Sequence, residues 1–146
     1  MKVTFEIDAK YEETQIKICA AREDEQVRQL YYRVRQAVDA KLAVSQGRET
    51  VFVPWTDIVR IYAQDKRIYC ATEEQIYQVH QRLYELEEQL DMTQFIRISN
   101  SEMVNMNKIL HLDTSLTGTI RMQLQGGVQT YVSRRYVAKI KKALGI

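Results

Sequence analysis

Alternating hydrophobic and polar residues open the chain. Val3, Phe5 and Ile7 alternate with polar residues, and Ile16 and Ile18 begin a second run of the same kind. Because successive side chains of a strand point to opposite sides, a period of two indicates half-buried β-strands. We therefore expect two strands at the start of the chain.

A helical period follows these strands. Between residues 24 and 42, apolar residues recur at steps of three and four, which is typical of an amphipathic helix. Acidic residues at 23–25 favour a helix start there, because negative charge suits the positive end of the helix dipole. The pattern predicts an N-terminal β-β-α segment over residues 1–43.

Short strands dominate the remainder, residues 44–146. Alternating runs flank polar turns at 45–48, 64–66 and 125–127, and this arrangement is typical of antiparallel hairpins. A further short strand is expected at 95–98. The strand content predicts a mostly β fold of the α+β class.

Two helices are expected within this β-rich part. Thr72 followed by Gln75 is typical of a capping box and predicts a mid helix that runs to about Gln89. Ser133 is a favoured N-cap residue and predicts a C-terminal helix, in which Val137 and Ile140 share one face.

The charge of the chain is unevenly distributed. The 146 residues carry a formal net charge of +2, but residues 95–146 hold eight Lys or Arg against two Asp or Glu, a net of +6. The preceding residues hold 13 Lys or Arg against 17 Asp or Glu, a net of −4. A polyanionic partner would be favoured at the basic part.

Several classes of protein are disfavoured. The two cysteines, Cys19 and Cys70, lie in apolar stretches and are expected to pack as small hydrophobic residues. No Cys or His has a second one at metal-ligand spacing, so neither a metal nor another cofactor is expected. No nucleophile–base pair or carboxylate dyad indicates an enzyme. Without an apolar run of about 20 residues or a signal peptide, we expect a cytoplasmic protein with no membrane insertion.

Two stretches are distinctive when they are taken together. They are FIRISNSEMVN at 95–105 and YVSRRYV at 131–137, the second followed by a basic helix. With PWTDI at 54–58 and LYELEE at 83–88, their order and spacing resemble the LytTR DNA-binding domain of bacterial regulators over about residues 44–146. The N-terminal segment resembles that of short stand-alone members, which lack a receiver domain.

The resemblance implies a LytTR-like antiparallel β fold that binds double-stranded DNA as a transcriptional regulator. Members of the family insert loops, and no recognition helix, into successive major grooves, and they bend the DNA. Two copies act together on repeated sites, so a homodimer is expected, with dimerisation assigned to residues 1–43.

The resemblance also implies three sets of DNA contacts. They come from the loop after the F-x-R-I strand, from the start of the terminal helix, and from the turn of the first hairpin. The expected contacts are polar or basic residues in or beside these segments: Lys66, Arg67, Ser99, Asn100, Ser101, Arg134, Arg135 and Lys139. Of the two arginines, Arg135 matches the contacting position of the family better. Some members carry a histidine where this chain has Ser99, so base preference is expected to differ.

The side-chain chemistry agrees with these roles, and it leaves alternatives open. An asparagine can pair with the edge of adenine, and an arginine with guanine or a phosphate. Asn100 and Ser101 could instead cap a following helical turn, and Asn105 is expected to be structural. At the level of function, the alternative is a protein–protein interaction module that titrates a partner regulator.

Overall fold

The computed structural model describes residues 1–90 and 94–146 and divides the chain into two units, Met1–Asp39 and Ala40–Ile146. The first strand of the second unit spans Lys41–Gln46. The division therefore falls before the boundary expected at residue 43.

The first unit contains one helix, α1 (Glu25–Asp39). Its start is capped by Asp24, whose carboxylate accepts a hydrogen bond of 2.9 Å from the backbone N–H of Val27. The two strands predicted before it are wrong, because residues 1–24 form no strand. Their apolar side chains are largely exposed, 90% for Phe5, and a strand pair that covers no hydrophobic surface is only marginally stable in water.

Two antiparallel sheets make up the second unit. In the described residues, the larger sheet has seven strands in the order β2-β1-β5-β4-β3-β7-β6, and the smaller has three in the order β10-β9-β8. The strands of the larger sheet are β1 (Lys41–Gln46), β2 (Glu49–Pro54), β3 (Ile58–Gln64), β4 (Arg67–Thr72), β5 (Ile76–Val79), β6 (Phe95–Ser99) and β7 (Glu102–Asn105). Those of the smaller sheet are β8 (Ile109–Asp113), β9 (Ile120–Leu124) and β10 (Val128–Val132).

Two helices pack against the strands of this β framework. The mid helix α2 spans Leu83–Gln89, and the terminal helix α3 spans Arg134–Leu144. Short 3-10 helices at Trp55–Asp57 and Met106–Lys108 lead into β3 and β8. The mostly β, α+β class predicted from the sequence is confirmed.

The mid helix begins later than predicted. Thr72 Oγ1 accepts hydrogen bonds from the backbone N–H groups of Glu74 and Gln75, as in a capping box. These bonds instead form a turn, after which Ile76–Val79 pairs with β4 as β5. A threonine hydroxyl offers the same local bonds to a turn as to a helix start, and the strand pairing then decides the outcome.

The strand β7 was not predicted from the sequence. All four residues of Glu102–Asn105 are buried, so the strand shows no alternation. Asn100 and Ser101 lie in the turn between β6 and β7, and a strand follows them. The alternative in which these two residues cap a helical turn is therefore wrong.

The strands β3, β6 and β7 lie between two hydrophobic clusters. One cluster contains Ile61, Phe95 and Met103 together with Leu86 of α2. The other lies on the opposite face of the same strands and contains Val59, Ile96, Ile98 and Val104. These residues pack against Met122 of the smaller sheet and Ile140 of α3. Burying each large apolar side chain contributes about 1.5–3 kcal/mol, so the three strands are held firmly from both sides.

Asn105 has the structural role expected of it. Its side chain is buried. Its amide nitrogen donates to the backbone oxygen of Ile58 at 2.9 Å, and its amide oxygen accepts from the backbone N–H of Asn107 at 3.0 Å. One side chain thus fixes the exit of β7 and the start of β3.

We predict that Asn105→Ala lowers the free energy of unfolding by about 1–3 kcal/mol, because buried backbone partners lose their hydrogen bonds. Urea denaturation would measure the change. The matched control is Asn107→Ala, an exposed position where we expect a change within about 0.5 kcal/mol. Equal losses in both variants would contradict the assignment.

The two cysteines differ in environment. Cys70 is fully buried in the first cluster, as expected, whereas Cys19 is exposed, contrary to expectation. Burial raises the pKa of the Cys70 thiol to about 12. Cys19 is exposed because the strand predicted around it does not form.

Thiol-specific reagents should therefore distinguish the two cysteines. At pH 8 the native protein should react rapidly at Cys19 only, since the thiolate is the reactive form and burial keeps Cys70 protonated. Both should react after unfolding. Colorimetric titration and mass spectrometry would measure the stoichiometry, and rapid native labelling of Cys70 would contradict the packing described here.

Candidate nucleic-acid interface

Two turns expected to contact DNA lie side by side at one end of the larger sheet. The strands β3 and β7 are antiparallel neighbours, with Tyr62 opposite Glu102. The backbone N–H of Ala63 donates to the oxygen of Ser101 at 2.8 Å. The β3–β4 turn follows directly after Gln64, so it lies beside the β6–β7 turn.

The start of α3 joins the same end. The backbone N–H of Ser133 donates to the oxygen of Ile98 at 2.9 Å. Ser133 occupies the expected N-cap position, but its side chain makes no capping hydrogen bond. In the first turn of the helix, the Tyr136 hydroxyl donates to Oδ1 of Asn100 at 3.1 Å. The expected contact residues at the start of α3 are thus directly connected to those in the β6–β7 turn.

Arg97 holds the β6–β7 turn in shape. Its Nε donates to the backbone oxygen of Ser99 at 2.7 Å, and its Nη2 donates to the oxygen of Asn100. Its Nη1 forms an ion pair with the Glu87 carboxylate of α2. Because the side chain is largely buried, these bonds are shielded from water and constrain the turn.

Serine hydroxyls complete the turn. The backbone N–H of Ser101 donates to Ser99 Oγ at 3.2 Å, and the two hydroxyls lie 3.3 Å apart. Ser99 is half-buried, whereas Asn100 and Ser101 are exposed. Ser99 therefore shapes the turn, while the other two side chains face outward.

The β3–β4 turn has a constrained backbone. Asp65 and Lys66 adopt φ angles of 51° and 64°, which suit the two-residue hairpin turns that match strand twist. Lys66 and Arg67 are exposed. Lys66 and Arg67 thus place two basic residues at the end of the sheet that also carries the β6–β7 turn.

The two arginines at the start of α3 differ in their contacts. Arg134 lies over the β8–β9 connection, and a Cβ built on Gly118 would lie 2.8 Å from its Nε. Arg135 is exposed, and Lys139 follows it by four residues on the same side of the helix. Arg135 and Lys139 therefore form a continuous basic face.

Glu102 connects the two sheets behind this surface. The residue is 8% exposed. It accepts a hydrogen bond of 2.7 Å from Thr130 of β10 and pairs with Nη1 of Arg60 of β3 at 3.2 Å. The Arg60 guanidinium also lies 4.2 Å from the centre of the Tyr62 ring. These contacts set the position of the smaller sheet relative to β3 and β7.

Three residues that support the site were not identified from the sequence. They are Arg97 and Glu87, which brace the β6–β7 turn, and Tyr136, which contacts Asn100. A signal for Arg97 was available, because alternation along β6 places it on the same face as the buried Phe95. Glu87 of α2 lies ten positions from Arg97, and Tyr136 of α3 lies 36 positions from Asn100. No short-range sequence pattern therefore indicates these contacts.

Residues 1–90 and 94–146 show neither a metal-binding cluster nor a membrane-spanning helix. No group of three or more His, Cys, Asp or Glu is placed to hold a metal ion. No helix there is long and apolar enough to cross a membrane.

Family comparison agrees with this architecture of a β scaffold with exposed basic and amide side chains on its loops. The family model described as the LytTr DNA-binding domain matches residues 48–145. The chain belongs to the LytTR family.

Individual relatives extend the similarity over the whole chain. An uncharacterized HTH-type transcriptional regulator of Staphylococcus aureus strain MSSA476 is 35% identical over 147 residues, with 100% of this chain and 99% of the relative covered. A relative of the same description from strain COL is 34% identical over the same length. Among solved structures, a LytTr DNA-binding domain from Bacillus cereus superimposes with a TM-score of 0.70 and 26% identity, covering 73% of this chain and 97% of that one.

Proposed function

We propose that this protein is a transcriptional regulator that binds double-stranded DNA sequence-specifically through loops. Membership of the LytTR family and the names of its relatives support DNA binding and regulation. The observation that carries the finer proposal is the direct contact between the Asn100 turn and the first turn of α3. Because the two segments are held together, their side chains can read one duplex at a fixed spacing.

Asn100 and Arg135 are the proposed base contacts. The Asn100 amide oxygen has two lone pairs, of which Tyr136 uses one, and the amide nitrogen remains a donor. The side chain can therefore still donate and accept together, as the edge of adenine requires. The exposed Arg135 guanidinium can pair with O6 and N7 of guanine. Each contact of this kind contributes about 1–3 kcal/mol of base discrimination.

The remaining basic residues are proposed to contact phosphates. Lys139 continues the face of Arg135, and Lys66 and Arg67 flank the turn from the other side. Phosphate contacts position a protein on the duplex without reading its sequence. In this arrangement, backbone contacts lie on both sides of the base-reading residues.

We propose that the loops enter major grooves, because only this groove distinguishes all four base pairs by their donor and acceptor patterns. The major groove, about 12 Å wide, admits a two-stranded β-ribbon, so the turns that carry the exposed residues 65–66 and 100–101 can enter it. A bent duplex would allow the β3–β4 turn and α3 to reach the DNA together.

We predict that Asn100→Ala and Arg135→Ala each weaken binding to the preferred site by about 5- to 150-fold, which corresponds to 1–3 kcal/mol. The site would first be selected from a random duplex library, and fluorescence anisotropy would then measure affinity for it and for a scrambled duplex. Binding to the scrambled duplex should change little, because its contacts are to phosphates. Arg48→Ala, an exposed arginine in the β1–β2 turn, is the matched control.

Lys139→Gln should behave differently from these two variants. It should weaken binding to the selected and scrambled duplexes alike and reduce the slope of log affinity against log salt by about 0.9. If Asn100→Ala and Arg135→Ala behaved in the same way as Lys139→Gln, the assignment of base contacts would be wrong.

We further propose that the first unit, Met1–Asp39, forms a homodimer contact. Its helix and the preceding segment expose large apolar side chains, with Phe5 90% and Tyr32 64% exposed. Aromatic residues of this kind are frequent anchors of protein interfaces. The same observation favours the second candidate function, an interaction module that titrates a partner regulator through this surface.

Light scattering should distinguish these possibilities. We expect the full chain to have the mass of a dimer, and a chain that begins at Ala40 to be monomeric with an unchanged thermal transition of its sheets. Tyr32→Ser in the full chain should weaken the dimer in the same direction. A truncated chain that is still a dimer would refute the dimerisation role. A monomeric full chain without DNA affinity would favour the interaction module.

A further inference from the structure

A basic groove lies beside the proposed DNA-binding surface. It has a volume of about 660 Å³ and lies between the start of β4, the β5–α2 connection and Arg97. We call it the basic groove and define it by the basic residues and the histidine that line it: Lys66, Arg67, His80, Arg82 and Arg97. Among the described residues that line it, there is no Asp or Glu.

The sheet register brings these residues together from distant parts of the sequence. Ile68 of β4 lies opposite Val79 of β5, so the turn that carries Lys66 and Arg67 lies beside the connection that follows Val79. That connection is anchored by a 2.8 Å hydrogen bond between His80 Nε2 and Ser45 Oγ. The groove is therefore part of the folded framework.

The charges of the basic groove are only partly compensated. Arg97, which is largely buried, forms its ion pair with Glu87. Lys66, Arg67 and Arg82 are exposed at the rim, where like charges brought close together repel one another. An anion in the groove would relieve this repulsion. Guanidinium groups bind phosphate oxygens with particularly favourable paired geometry.

We propose that the basic groove binds a phosphate group, and that this phosphate belongs to the backbone of the duplex read by Asn100. This inference rests on the proposed function and extends its interface to Arg82. Arg97 is the physical link, because this residue lines the groove and its guanidinium holds the backbone oxygens of Ser99 and Asn100. A phosphate in the groove therefore lies next to the base-reading turn and orients the duplex against it.

The test is Arg82→Gln in the full-length protein, with affinity measured by fluorescence anisotropy on the selected duplex. We expect weaker binding and a salt slope smaller by about 0.9. When the salt concentration is raised from about 50 to about 200 mM, the ratio of the affinity of the unmodified protein to that of Arg82→Gln should then fall by about threefold. Arg48→Gln removes an exposed arginine elsewhere and should leave the slope unchanged. Thermal unfolding would verify that both variants are folded.

Titration with inorganic pyrophosphate, followed by NMR of the arginine side chains, distinguishes a backbone phosphate from a free phosphorylated molecule. A reduced salt slope in Arg82→Gln supports the duplex as the source. An unchanged slope, with pyrophosphate binding that is lost in Arg82→Gln, supports a phosphate site but overturns the duplex as its source. An unchanged slope without Arg82-dependent pyrophosphate binding overturns the proposal altogether.

Failure of this inference would be separable from failure of the proposed function. If Arg135→Ala loses affinity for the selected duplex while Arg82→Gln does not, only the role of the groove in DNA binding is wrong. If the unmodified protein shows no DNA affinity at low salt, both the proposed function and the duplex source of the phosphate are wrong. The pyrophosphate titration would then test only whether the groove binds a phosphate group.

Discussion

The buried carboxylate of Glu102 makes the contacts between the two sheets on which the geometry of the proposed DNA-binding surface depends. It accepts from Thr130 of the smaller sheet and pairs with Arg60 of the larger one. Removing one partner from a buried ion pair leaves an uncompensated charge, at a cost of about 3–5 kcal/mol when the pair is well shielded. Since α3 follows directly after β10, the same carboxylate helps to determine where Arg135 lies relative to Asn100.

Local patterns in the sequence were sufficient for the hairpins and the terminal helix. The alternating runs that flank the turns at 64–66 and 125–127 correctly predict β3, β4, β9 and β10. The strand β7 carried no alternation because its four residues are all buried, and β5 was hidden by a threonine turn that uses the hydrogen bonds of a helix cap. The alternation of Val3, Phe5 and Ile7 was misleading, because strands also need a surface to cover.

The candidate site was predictable only in part, for a related reason. The polar turn at 99–101 and the arginines after Ser133 are contiguous motifs, so a family resemblance could mark them. Their supports come from elsewhere: Glu87 reaches Arg97 across ten positions, and Tyr136 reaches Asn100 across 36. Contacts of this kind depend on strand register and helix packing, which local sequence does not encode.

The ion pair between Glu87 and Arg97 makes the short helix α2 part of the support of the Asn100 turn, so in the proposed binding mode α2 contributes without approaching a base. Small displacements of this helix would be transmitted to the carbonyl groups that set the curvature of the Asn100 turn. If the turn reads bases as proposed, the sequence preference of the protein can be altered by substitutions on α2. Evolution or a protein engineer could alter which operators are recognised while leaving every base-facing side chain in place.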